Sequence, residues 1–305
     1  MFLILQAALA VEPPASPQWT VPAGTVAALR AVAHRPIGER IDAATRAFLG
    51  RPYATDTAGE GEGEDPDPPA RYDRFDCLTF VEEALGMVLA GDPLHAPAIR
   101  DAFRYSGIPT YQSRNHFMEA EWVPRAIASG LVDDITDRIG HARTLTRNVT
   151  PEVWDAWGAR RRIFNLLPSH RLPVGPWTLR YLDLAEAVAA APRIPPGAIV
   201  LTLRVERPWS PVVTTHVSLV VPGATEPMMR HATKMGRGKV RDDKLLWYLT
   251  HLRTYVNWPA LGVSVLMPAE QGPTLAATLP DPVPHERFAD ATGSPPCFAP
   301  KLDPQ

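Results

Sequence analysis

The sequence predicts an α+β domain in which helices come first and a mostly antiparallel sheet follows. Apolar residues recur at helical spacing in residues 25–49 and again in 76–90. After Pro195-Pro196-Gly197 the pattern changes to short β-branched or apolar runs bounded by proline and glycine. Runs of helices followed by runs of strands are the signature of that class, and 305 residues suffice for one large core.

Taken in order, residues 25–49 carry Val26, Leu29, Val32, Ile41, Ala44 and Phe48 at helical spacing, with a break at Pro36. Residues 54–70 hold six acidic side chains and three prolines without periodicity, the composition of an exposed loop. The strongest helix is 76–90, with Asp76 as N-cap, Leu78, Val81, Leu85 and Val88 on one face, and Gly91 as terminator. Further helices are expected near 98–105, 117–129, 151–162 and 179–190. Strands are expected at 198–204, 214–221, 227–233 and 262–267, interrupted by a helix around 243–251. The expected division is one large domain over 23–267, a signal peptide or disordered N-terminus over 1–22, and a proline-rich tail over 268–305.

Thirty-one basic against 33 acidic side chains give a net charge of −2, which offers no footprint for nucleic acid and no polybasic membrane patch. Residues 2–10 form a short apolar run ending in Ala8-Leu9-Ala10, the small-x-small pattern of an export signal, but without a basic leader. The run is read as an export signal, with a disordered or docked terminus as the alternative. Export implies a periplasmic or extracellular protein. No later stretch is apolar for the roughly 20 residues a membrane span needs.

Cys77 and Cys297 are too few for a disulfide framework. Cys77 follows the cap Asp76, so its sulfur sits in the first helical turn, where free N–H groups and the positive dipole end favour a thiolate. The alternative is a small buried apolar residue. His216 and His231 fall in strands joined by Pro222-Gly223-Ala224-Thr225. A hairpin centred between Gly223 and Ala224 sets the two directly opposite, about 5 Å apart on one face. His231 then fixes the tautomer of His216, which serves a thiol as base; the alternative is two unrelated strand histidines. Cys77, His216 and His231 also make three potential zinc ligands, but no His-Glu-x-x-His helix is present, and neither metal nor cofactor is expected. Arg114, Asn115 and His116 form a donor-rich cluster suited to carboxylates or sugar hydroxyls, or to a structural loop.

Together these residues resemble a known family. Leu49-Gly50-Arg51-Pro52-Tyr53, Phe75-Asp76-Cys77-Leu78-Thr79-Phe80-Val81-Glu82, Thr215-His216-Val217-Ser218-Leu219 and Arg230-His231-Ala232-Thr233 are similar to the ordered motifs of NlpC-type cell-wall cysteine hydrolases. The Asp-Cys-Leu-Thr-Phe-Val-Glu form, residues 111–122 and Gly130-Leu131-Val132-Asp133-Asp134-Ile135-Thr136 resemble the N-acetylmuramoyl-L-alanine amidase-like branch. The resemblance spans about residues 40–267. It implies a papain-like core, Cys77 as nucleophile, His216 as base, His231 as orienting residue, and Tyr53 lining a substrate groove with Asp76, Arg114, Asn115 and His116 near it. The long acidic insertion and Ser218, where glycine is frequent, depart from the pattern.

The implied reaction is hydrolysis of the bond between N-acetylmuramic acid and L-alanine in peptidoglycan fragments. The alternatives are cleavage between γ-D-glutamate and the diamino acid of the stem peptide, and a catalytically silent peptidoglycan-binding module. Muropeptides are the expected partners.

Overall fold

The computed structural model describes residues 21–91, 96–158 and 164–270. The export run, residues 159–162 of the helix expected over 151–162, Cys297 and residues 271–305 of the proline-rich tail lie outside these residues. Helices α1 (Ala23–Ala31) and α2 (Ile37–Thr45) are separated at Pro36, which has no N–H to continue a helix. Helix α3 (Cys77–Ala90) opens on a capping box. Asp76 accepts from the N–H groups of Leu78 and Thr79, Thr79 Oγ1 accepts from the Asp76 N–H, and the helix stops at Gly91 with φ 66°.

From Phe80 onward α3 is buried on all sides, Glu82 and Glu83 included. Each large apolar side chain so buried contributes about 1.5–3 kcal/mol, but buried carboxylates need partners. Helix α4 (Ala96–Arg104) supplies them. Arg104 Nε donates to Glu82 at 2.7 Å, Trp122 Nε1 donates to the same carboxylate at 3.1 Å, and Arg100 and the Tyr72 hydroxyl reach Glu83. Gly86 allows the two helices to touch, since a Cβ there would lie 2.8 Å from the Ala96 carbonyl oxygen.

The sheet has eight strands: β1 (Val132–Asp134), β2 (Arg143–Val149), β3 (Gly175–Asp183), β4 (Ile199–Arg204), β5 (Thr214–Val221), β6 (Met228–Thr233), β7 (Lys239–Lys244) and β8 (Ala260–Pro268). Their order is β2-β3-β8-β4-β5-β6-β7, with β1 added on β8, and every strand pair is antiparallel. Helix α5 (Val123–Ala128) precedes the sheet, and between strands lie α6 (Thr136–Ile139), α7 (Pro151–Ala156), α8 (Leu184–Ala190) and α9 (Leu245–His251). Alternation along the strands divides the core. Leu201, Val217, Leu219 and Val221 pack with α2 and α3, whereas Val200, Val220, Met229, Val263 and Val265 pack with α8 and α9. The chain is thus mixed α+β with a mostly antiparallel sheet.

Several expectations need correction. Residues 179–183 are not helical: they complete β3, which pairs with β2 over seven positions, and α8 begins only after its cap Asp183. Strands β1 to β3 precede residue 195, so helices and strands interleave more than predicted. Residues 243–244 finish β7 before α9 starts, and 118–122 form a single π-turn ahead of α5. The acidic stretch is not merely an exposed loop. Thr57, Ala58, Gly59 and Asp65 are buried, and the loop is tied down where Arg114 meets Glu60 and Asp65, Tyr105 donates to Glu60, and Arg104 donates to the Pro69 carbonyl. Its charge is compensated by arginines more than 30 residues away.

Candidate active site

Helix α3 packs against β5 and β6, and the two predicted histidines meet on those strands. The His216 Nε2 and His231 Nδ1 atoms are 2.7 Å apart, and His231 Nε2 is 3.1 Å from Asp243 Oδ2. His231 is fully buried, Asp243 nearly so, and Arg241 pairs with the other oxygen of Asp243. Burial works against the Asp243 carboxylate, but its bond to His231 and the Arg241 charge prevail and hold it below the ordinary range.

An ionised carboxylate only accepts, so His231 Nε2 carries a proton; when that ring is neutral its Nδ1 is an acceptor. His216 Nε2 must then donate to it, which leaves the lone pair of His216 at Nδ1. With both rings neutral, their tautomers follow from one carboxylate.

The predicted strand register is not the observed one. The β5–β6 ladder pairs Leu219 with Arg230 and Val221 with Met228, so the turn is longer by two residues and His216 is diagonal to His231 rather than opposite it. A slip of two preserves the face, and diagonal neighbours remain within reach of aromatic rings. On the other side of β5 the register shifts between Thr202 and Leu203, which pair with His216 and Thr214. Thr215 is the extra residue, a bulge adjacent to the histidine of the kind that re-aims side chains. Tyr248 of α9 packs its ring against both imidazoles and shares a 3.0 Å hydrogen bond with Thr202.

Upstream, the buried Glu119 accepts the N–H groups of Val213, at 2.7 Å, and of Thr214. Two main-chain donors at the start of β5 are thereby fixed from the π-turn, a short distance along the strand from His216.

The N–H groups of Val217, the residue after His216, and of Cys77 and Leu78 favour a charged sulfur at Cys77. A charge on that sulfur would in turn oppose ionisation of Tyr53 and Tyr248. Burial, with Asp76 beside it, nevertheless pushes the thiol up to about 12. Burial, His231 and Arg204 lower His216 to about 3. The helix-terminus argument therefore does not prevail here: the resting pair is thiol and neutral imidazole.

The α3 N-terminus also offers fewer donors than its position suggests. Asp76 takes the N–H groups of Leu78 and Thr79, and its carbonyl takes that of Phe80, leaving the Cys77 N–H free of this cap. Asp76 is thus a helix cap, while Tyr53 is half-buried beside the thiol.

Arg114, Asn115 and His116 are engaged within the protein. Arg114 pairs with Glu60 and Asp65, Asn115 donates to the Phe103 carbonyl at 2.8 Å, and His116 Nε2 lies 2.8 Å from the Tyr111 carbonyl among Tyr111, Phe117 and Phe164. Burial lowers His116 to about 4. These three residues hold a loop together.

For metal ligation, the His216–His231 bond occupies one nitrogen of each ring. Among the described residues, the one cluster of potential ligand atoms is that of Asp56, Asp65 and Asp67, within 4.8 Å of one another, where Arg114 already balances Asp65. Asp243 was missed in the sequence because β7, written Lys-Val-Arg-Asp-Asp-Lys, does not read as a strand. Had it done so, alternation would have put Asp243 on the His231 face and Asp242 on the other, where it holds Arg230.

Comparison with known proteins agrees with this architecture. A Legionella pneumophila protein of the DUF1460 family superposes with a TM-score of 0.67 at 22% identity, covering 81% of this chain and 96% of its own. An N-acetylmuramoyl-L-alanine amidase from Bacteroides uniformis superposes with a TM-score of 0.58 at 20% identity, covering 76% and 98%. At such identities the likeness is one of fold. The curated proteins compared contain no match. Residues 43–255, which hold Cys77, His216, His231 and Asp243, match the family described as AmiA-like. The chain belongs to the N-acetylmuramoyl-L-alanine amidase-like family.

Proposed function

We propose that the protein is a cysteine amidase that hydrolyses the N-acetylmuramoyl-L-alanine bond of peptidoglycan fragments, on a core of the NlpC-type, papain-like kind. The observation that carries the reading is the chain Asp243–His231–His216 beside the capped α3 terminus that bears Cys77. Such a chain fixes a base at one ring nitrogen, which a buried thiol requires in order to react. Family membership and a neighbour named for this activity support the choice of bond.

In this reading Cys77 transfers its proton to His216 Nδ1 as the sulfur attacks the lactyl carbonyl carbon. The Cys77 N–H is the candidate donor to the oxyanion. Imidazolium His216, stabilised through His231 by Asp243, then gives the proton to the departing L-alanine nitrogen. Water, deprotonated by His216, hydrolyses the thioester and restores the thiol. Tyr53 lines the groove beside the sulfur. The export signal read in the first ten residues would place this activity in the periplasm or outside the cell.

Mass spectrometry of defined muropeptides incubated with wild type and with Cys77→Ala tests the assignment. Intact sugar plus free stem peptide, absent with the variant, is expected. A cut within the peptide would move the function to γ-D-glutamyl endopeptidase, and no cleavage by folded wild type would favour a silent binding module.

A further inference from the structure

The turn between β6 and β7 carries Lys234, Arg237 and Lys239 on the sequence Lys-Met-Gly-Arg-Gly-Lys. All three side chains are exposed. Arg241 and Lys244, further along the same strand, pair with Asp243 and Glu226, but among the described residues no acidic group pairs with these three. In a chain of net charge −2 this is a local excess of positive charge.

It reaches the α3 terminus through Tyr53, which bridges to Phe75, two residues before Cys77. The Lys234 ammonium lies 5.5 Å from the centre of the Tyr53 ring, whose ionisation burial, Cys77 and Asp76 oppose. The turn is also held in place. Tyr53 N–H donates to the Gly238 carbonyl at 2.9 Å, Val240 N–H to Arg51 at 2.8 Å, and Gly50 N–H to Val240 at 2.9 Å. Gly236 and Gly238 take φ of 68° and 61°, which lets the chain turn sharply. Three cations are therefore displayed on a stapled turn, so a ligand meets them without ordering a loop.

We propose that this turn is a carboxylate-binding lip that receives the peptide limb of the substrate. The inference rests on the amide-hydrolase reading and adds the chemistry of the limb. A γ-linked glutamate keeps its α-carboxylate free, and a diamino acid linked through one amine keeps a carboxylate too. An acidic peptide leaving the scissile amide thus presents negative charge at short intervals, which the lip matches. The Tyr53 ring beneath Lys234 supplies an apolar floor for the aliphatic part of such a residue.

The test uses two substrates that differ only in having the peptide carboxylates free or converted to carboxamides, with wild type and the K234A/R237A/K239A variant. On the free-carboxylate substrate the variant should raise KM about tenfold with kcat within about twofold, while the carboxamide substrate should not distinguish the enzymes. An equal loss on both substrates, or no loss on either, overturns the lip. Titration of Cys77→Ala with the free acidic stem peptide gives a readout that needs no hydrolysis. Binding that disappears on amidation and in the Cys77→Ala protein carrying the three lip substitutions supports the lip even if wild type cleaves no muropeptide, an outcome in which the amidase reading alone would fall. Cleavage without carboxylate dependence would leave the amidase reading and remove the lip.

Discussion

The imidazoles of His216 and His231 are joined at 2.7 Å although the strands that carry them do not set them opposite each other. The contact arises from a diagonal placement, a bulge at Thr215, and a carboxylate on a third strand that orients the inner ring. Its chemical value lies in the lone pair left at His216 Nδ1.

Asp243→Asn should expose that dependence. An amide can still meet His231, but it can do so with either its donor or its acceptor, so the tautomers of both rings are no longer imposed. Turnover of a muropeptide should fall by about 10²-fold, the scale of losing general acid–base catalysis, with little change in melting temperature. A shifted pH–rate profile would mark an effect transmitted to the base. Full activity with an unshifted profile would remove Asp243 from the relay.

The protonation of Cys77 can be read by alkylation. Because burial and Asp76 push the thiol up to about 12, modification by a neutral alkylating reagent in the absence of substrate should be slow near neutrality and keep rising into the alkaline range. A plateau below pH 8 would instead show a resting thiolate.

Acid sensitivity follows from the buried histidines. His216 and His116 sit near 3 and 4 in the folded protein against an ordinary value of 6.5, so below pH 6.5 the unfolded chain binds protons the folded one refuses. Stability is full above 6.5 and is lost as pH falls towards the folded values, at about 1.4 kcal/mol per unit for each ring. Denaturant unfolding at pH 6.5 and pH 5 should differ by about 2–4 kcal/mol from these two groups, and His116→Asn should roughly halve that difference. Equal stability at both pH values would contradict the buried neutral state.

Glu119 should matter through β5. Glu119→Ala leaves the Val213 and Thr214 N–H groups without their acceptor and should cost about 2–3 kcal/mol in thermal or denaturant unfolding. Glu119→Gln keeps the carbonyl oxygen and should recover most of it. If alanine and glutamine behave alike, the hydrogen bonds do not anchor the strand.

Local features were legible in the sequence. The limits of α3 follow from Asp76 and Gly91, whose side-chain acceptor and positive φ act on adjacent residues, and β5 occupies the predicted 214–221 because its β-branched run is bounded by loop residues. Cys77 at a helix start, and two histidines on one sheet face, could be read from spacing because strand parity survives a register slip of two. Tertiary structure decided the rest. Asp243 joined the site because β7 packs beside β6, Cys77 lost its thiolate because Asp76 and burial outweigh the helix end, and Arg114, Asn115 and His116 turned inward to the acidic loop and its neighbours. Each of these outcomes is a balance of desolvation against partners distant in sequence, and such a balance exists only once the chain has brought the partners together.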